Sequence, residues 1–153
     1  MELQLSGKRS DSPFGTGDAS FQAAGGFEGI TQLVDDFYQF MDDLPEAKAI
    51  REMHQADLTV VKDKLVRFLC SWLGGPRLYH EKYGPISIPG VHRPFPIGEA
   101  ERDAWLLCMR NAVAKQPYDA AFAGYLNAQF RIPAERIYQV NSQGPAGLGI
   151  DNT

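Results

Sequence analysis

The sequence predicts an all-α fold. Apolar residues recur at helical spacing in four separate stretches, glycine and proline punctuate the ends of those stretches, and no segment reads convincingly as a strand. With 153 residues, 44% of them hydrophobic, the chain can bury one sizeable core, which favours a single globular domain over a disordered chain.

The elements follow in order. A short helix around Ala19 to Ala24 is followed by Gly25-Gly26, whose flexible backbone permits a sharp entry into the first long helix. That helix carries Phe27, Ile30, Val34, Phe37, Tyr38, Met41 and Leu44 on one stripe, and Pro45 disfavours helix at the residue before it. The second long pattern runs through Leu58, Val61, Leu65, Phe68, Leu69 and Trp72, with Asp57 placed as N-cap and Gly74-Gly75-Pro76 as the stop. From Tyr83 to Pro96 the density of glycine and proline leaves room for no more than about a turn of helix near His92. Glu99 and Glu101 suit the positive first turn of a third long helix bearing Trp105, Leu106, Met109 and Val113, which Pro117 closes. The fourth stripe is Phe122, Tyr125, Leu126 and Phe130 before Ile132-Pro133, with a continuation open through Arg136 to Tyr138.

Residues 1–17 mix serine, glycine, charge and proline without periodicity and are expected to form a flexible N-terminal extension. Residues 141–153 have the same character and are expected to form a flexible C-terminal tail, leaving 18–140 as the domain. A formal charge of -4 offers no general attraction to phosphate backbones or anionic lipid, so neither nucleic acid nor a membrane is an expected partner. The sequence shows no secretory leader pattern and no apolar run of membrane-spanning length, so a cytoplasmic location is expected. Cys70 and Cys108 lie far apart and form no CxxC pair, which points to buried, reduced thiols rather than a disulfide or zinc site.

Three histidines, His54, His80 and His92, are too scattered for a helical zinc motif. Haem asks for less: one imidazole for the iron, apolar side chains around the macrocycle, and cations or hydroxyls for its propionates. His92 sits in Gly90-Val91-His92-Arg93-Pro94-Phe95-Pro96-Ile97-Gly98, where prolines restrict the backbone and would fix the direction of an imidazole. Read by itself, such a histidine is more often structural or exposed than a ligand.

The run from His92 through Pro94-Phe95-Pro96-Ile97-Gly98-Glu99 to Trp105-Leu106 resembles the proximal segment of group II truncated haemoglobins. Phe37-Tyr38, Met53-His54 with Asp57-Leu58, and Phe68-Leu69 through Leu73-Gly74-Gly75-Pro76 agree in order and spacing, so the resemblance spans about Gly25 to Phe130. It implies a truncated globin-like, two-over-two helical sandwich enclosing one haem b per chain.

Carried over residue by residue, the resemblance makes His92 the proximal iron ligand, Tyr38 a distal phenol and Trp105 an indole facing the same pocket. Without it, Tyr38 reads as a core-edge tyrosine and Trp105 as packing. His54 falls at a position variable in the family, where it can hydrogen-bond a ligand or water, titrate, or act as a sixth iron ligand. Val61, Leu65, Phe68 and Phe95 become apolar contacts of the haem, and Lys64, Arg77 and Tyr79 partners for its propionates. One departure from the family is the stretch Pro85 to Val91, which lacks the basic residues that relatives carry before the proximal histidine.

The implied function is binding of dioxygen, nitric oxide, carbon monoxide or similar small ligands. Two donors beside a bound ligand favour retention over delivery, which points to detoxification of nitric oxide, peroxide or related species. An activity of the dioxygenase or peroxidase kind would need an external reductase, since the sequence carries no dinucleotide-binding motif. The alternative is non-catalytic, reversible gas binding for storage or sensing.

Overall fold

The structure is a computed structural model that describes residues 14–85 and 98–147. His92 and Phe95 lie outside the described residues, as does the turn of helix expected near them. The described residues hold α1 (Ala19–Ala23), α2 (Gly26–Asp43), a 3-10 turn (Pro45–Ala47), α3 (Lys48–Glu52), α4 (Thr59–Trp72), α5 (Leu78–Tyr83), α6 (Glu99–Ala114) and α7 (Ala120–Gly147). No strand occurs among them.

Gly25 has φ +92°, a left-handed conformation that a side chain would disfavour, and it turns the chain from α1 into α2. The stripe anticipated on α2 is buried at Ile30, Leu33, Val34, Phe37, Tyr38 and Met41. Leu44, ahead of Pro45, is extended at ψ 127° and ends the helix. α3 and α5 are too short to show a period, so sequence pattern does not reveal them.

Asp57 starts α4 from one residue further out than an N-cap. Its Oδ1 accepts the Thr59 N–H at 2.9 Å and the Thr59 hydroxyl at 2.7 Å, while Leu58 holds the cap position. Gly74, at φ +91°, ends that helix run, and a Cβ there would stand 2.0 Å from the Gly17 carbonyl oxygen. At the start of α6 the Glu101 carboxylate accepts the Gly98 N–H at 2.7 Å, as its place in the first turn suggested.

α2 packs on α4 and on α6, and α6 packs on α7, so two helix pairs form two layers with the core between them. Phe37, Met109, Phe122, Leu126 and Phe130 are fully enclosed there. Gln116, itself buried, ties the layers by donating to Asp36 on α2 at 2.7 Å. Both cysteines are buried and free, and burial pushes the Cys108 thiol up to about 11, which leaves it unreactive.

Two local differences from the sequence reading concern the ends. Phe14, left there in the extension, packs against Phe122 and Tyr125 with ring centroids 5.0 and 5.2 Å away. The Gly15 N–H donates to the buried Ser20 hydroxyl at 2.9 Å, and the Phe21 N–H to the Leu73 carbonyl at 3.0 Å. Residues 14–21 therefore lie across the end of α4. At the other terminus α7 passes through Pro133 and reaches Gly147, beyond Val140 where a tail was expected. Pro133 removes one amide from the helix, yet Phe130 and Ala134 are buried on either side of it, and Arg102 grips the far segment through Glu135 at 3.0 Å and the Tyr138 ring at 4.7 Å. Once packed in this way a helix extends at little cost.

Candidate functional site

The fold brings the expected distal residues into one run of ring contacts. The Tyr38 ring meets the His54 imidazole edge-on at 5.7 Å and the Phe37 ring at 4.9 Å. Phe37 in turn meets Trp105 at 5.3 Å, Trp105 meets Phe130 at 5.8 Å, and Phe130 stacks on Trp72 at 5.0 Å. Phe68 closes the series against Trp72 at 6.2 Å. α2, the segment after α3, α6, α7 and α4 thus each contribute one or two rings.

Tyr38 is buried, and burial alone pushes its phenol above the ordinary tyrosine value, so the hydroxyl stays protonated. Its oxygen has no hydrogen-bond partner among the described residues. Leaving a hydroxyl buried and unpaired costs about 1–3 kcal/mol, so this one is poised to donate to something that is not part of the described chain. The Trp105 indole, half-buried between Phe37 and Phe130, offers a second donor.

His54 is held differently. Its Nδ1 lies 2.9 Å from the Ile50 carbonyl. A carbonyl can only accept, so Nδ1 is the donor in this contact.

Val61, Leu65 and Phe68 follow one another at helical spacing along α4, and all three are half-buried beside the core. This flank differs from the face that α4 buries with Val66, Leu69 and Cys70. The expected propionate partners lie on α4 and at the start of α5. Lys64 is exposed on α4, with its Nζ 5.3 Å from the centre of the Tyr83 ring. Tyr79 is buried, its ring 5.1 Å from Tyr83, and Arg77 is exposed just ahead of α5. Tyr83 thus joins Lys64 to Tyr79, while Arg77 stands at the other end of that short helix.

Sequence reasoning did not single out Asp63. Its carboxylate accepts from Arg67 Nε at 3.0 Å, from Lys82 Nζ at 2.9 Å and from the Tyr83 hydroxyl, pinning α5 to α4. The Asp63 and Arg67 pairing has ordinary helical i, i+4 spacing and is visible in the sequence, but the other two partners lie 19 and 20 residues away.

Comparison with known proteins agrees with this layout. The bacterial-like globin family model matches residues 19–124. The group 2 truncated hemoglobin YjbI of Bacillus subtilis is 34% identical over 120 residues, covering 78% of this chain and 88% of that protein. The chain belongs to the group II truncated haemoglobins. Among solved structures, the group II 2-on-2 hemoglobin of Agrobacterium tumefaciens is 35% identical with a TM-score of 0.74, covering 85% of this chain and 97% of its own. A truncated oxygen-avid haemoglobin of Bacillus subtilis is 33% identical with a TM-score of 0.70, covering 77% of this chain and 97% of its own.

Truncated haemoglobins bind haem and, through it, small gaseous ligands such as dioxygen. The described residues fit such a group on two counts. An unpaired, buried phenol lies beside an imidazole, and a half-buried apolar stripe on α4 can cover a flat macrocycle. Among the described residues no cluster of His, Cys, Asp and Glu forms a separate metal site, and no helix is long and apolar enough to cross a membrane.

Proposed function

We propose that this chain holds one haem b through His92 and uses Tyr38, Trp105 and His54 to retain a small ligand, so that nitric oxide or a peroxide is consumed rather than oxygen delivered. The observation that carries this reading is the Tyr38 hydroxyl, buried without a partner among the described residues and in ring contact with His54. Bound haem supplies an iron that accepts a diatomic ligand and exchanges electrons.

Tyr38 and Trp105 donate hydrogen bonds to a ligand that carries negative charge, and each such bond contributes about 1–3 kcal/mol. His54 hydrogen-bonds ligand or water, or serves as a sixth ligand when no other is bound. Val61, Leu65, Phe68 and Phe95 keep water from the macrocycle, while Lys64, Arg77 and Tyr79 meet its propionates. The Bacillus subtilis truncated haemoglobin is oxygen-avid, and the Tyr38 and Trp105 donors support retention here.

The overall change joins one nitric oxide, one dioxygen and one electron into one nitrate. An external reductase supplies the electron. The cytoplasm, where such reductants are found, is the proposed location.

Two measurements test the reading. Haemin uptake followed by visible spectra should be stoichiometric, and the ferrous carbon monoxide form should be lost in His92→Ala. Steady-state nitric oxide consumption with a reductant should then exceed the protein-free rate. Consumption no faster than buffer would refute the detoxification role and leave reversible gas binding.

A further inference from the structure

Between α3 and α4 the chain runs through residues 53–58 without regular structure, and this is the segment that carries His54. Gln55, Ala56 and Asp57 are exposed, while Met53 and Leu58 pack on the core and His54 meets the Tyr38 ring. Apolar burial therefore does little to fix the middle of the segment.

One side chain does. The Arg51 guanidinium donates through Nη1 to the Gln55 carbonyl at 3.0 Å and through Nη2 to the Ala56 carbonyl at 3.2 Å. Its third donor, Nε, engages Oδ1 of Asp42. Asp42 stands on α2 one helical turn beyond Tyr38. The end of α3 also holds His54 from behind, because the His54 N–H donates to the Arg51 carbonyl at 3.1 Å and the ring Nδ1 to the Ile50 carbonyl.

We propose that Arg51 is a positioning residue, a latch that fixes the His54 segment against the helix bearing Tyr38 and so sets how freely a ligand passes this side of the pocket. The proposal rests on the reading of Tyr38 and His54 as the ligand side of the haem. The two ends of the latch contribute unequally. Asp42 is 45% exposed, and an ion pair of that kind is weak, so most of the hold comes from the two charge-assisted bonds to backbone carbonyls. Only a planar guanidinium reaches three acceptors on two segments at once; a lysine nitrogen cannot.

The test uses the haem-loaded protein, with carbon monoxide as the probe. After laser photolysis, Arg51→Ala and Arg51→Lys should each rebind carbon monoxide about fivefold faster from solution, the factor expected when one such restraint is lost. Asp42→Asn should have a smaller effect. Amide exchange at Met53 and His54 should accelerate in Arg51→Ala, with or without haem. In a His54→Ala background the Arg51 substitutions should no longer change rebinding, because the latch acts through His54.

Unchanged rebinding and exchange would overturn the latch, and so would an effect of the same size in the His54→Ala background. Should Arg51→Ala fail to fold, Arg51→Lys, which keeps the charge and the aliphatic stem, carries the same comparison. Failure of the unaltered protein to take up haem would instead overturn the underlying functional reading, and amide exchange would still report whether Arg51 holds the segment.

Discussion

The His54 imidazole stands edge-on to the Tyr38 ring, centroids 5.7 Å apart and planes at 78°, with its own Nδ1 tied back to the Ile50 carbonyl. The pairing sets a fixed histidine beside a buried phenol that no described residue satisfies. Donor and restraint are thus separated: Tyr38 has a hydrogen bond to give, and the Nδ1 of His54 is already engaged by the Ile50 carbonyl.

Replacing Tyr38 with phenylalanine should accelerate dioxygen dissociation from the ferrous haem protein by on the order of tenfold or more, the loss expected for one charge-assisted bond. Stopped-flow displacement by carbon monoxide measures it. In the haem-free protein the same change should leave stability equal or raise it, since an unpaired hydroxyl leaves the interior. A fall in apoprotein stability would mean that Tyr38 already has a partner.

Asp63 predicts an acid dependence. The Tyr83 hydroxyl first of all, with Lys82 and Arg67, holds its carboxyl down at about 2, whereas an unfolded aspartate titrates near about 4. A folded-state value below the unfolded one gives stability that is fully present above about pH 4 and is lost as pH falls towards 2. Asp63→Asn should therefore flatten the stability profile across that window. Urea unfolding of both proteins at a series of acidic pH values decides it; parallel profiles would remove Asp63 from the account.

Phe14 is expected to matter although it precedes the first helix. Its ring packs on Phe122 and Tyr125, so Phe14→Ala should destabilise the domain by on the order of 1–3 kcal/mol. Thermal unfolding gives the answer, and a midpoint equal to that of the unaltered chain would show that residue 14 contributes nothing to the core.

Gly74→Ala should cost roughly 2 kcal/mol or more, because it combines a left-handed backbone with the crowding of a new Cβ against the Gly17 carbonyl. Removing residues 1–17 should recover part of that loss by taking the carbonyl away. A cost unchanged by the truncation would assign it wholly to the backbone of Gly74, measured again by thermal or urea unfolding.

Legibility in the sequence followed length and locality. α2, α4, α6 and the first half of α7 repeat apolar residues over enough turns for the period to show, and their stops are marked by Pro45, Gly74-Gly75 and Pro117. α3 and α5 have five and six residues, which is too few for a stripe. The passage of α7 through Pro133 was beyond local preference, since Arg102, thirty-three residues before Glu135, supplies the grip. The same distinction holds in the site. Tyr38, Trp105 and His54 stood out because a long motif around them resembles a family, whereas Arg51 and Asp63 belong to no motif: two acceptors of Arg51 are set by the turn between α3 and α4 and the third lies on α2, and Lys82 and Tyr83 reach Asp63 only across the fold.

By itself, then, the amino-acid sequence determined the helical class, the order of the long helices and the family, because periodicity, stop residues and motif spacing are properties of neighbours along the chain. Tertiary structure alone decided that Tyr38 has no described hydrogen-bond partner, that Arg51 gathers Asp42, Gln55 and Ala56, and that Phe14 covers the start of α7. Each of these depends on the meeting or exclusion of groups that no sequence pattern pairs. Burial and hydrogen-bond satisfaction are sums over everything that surrounds an atom, and only the folded chain specifies those surroundings.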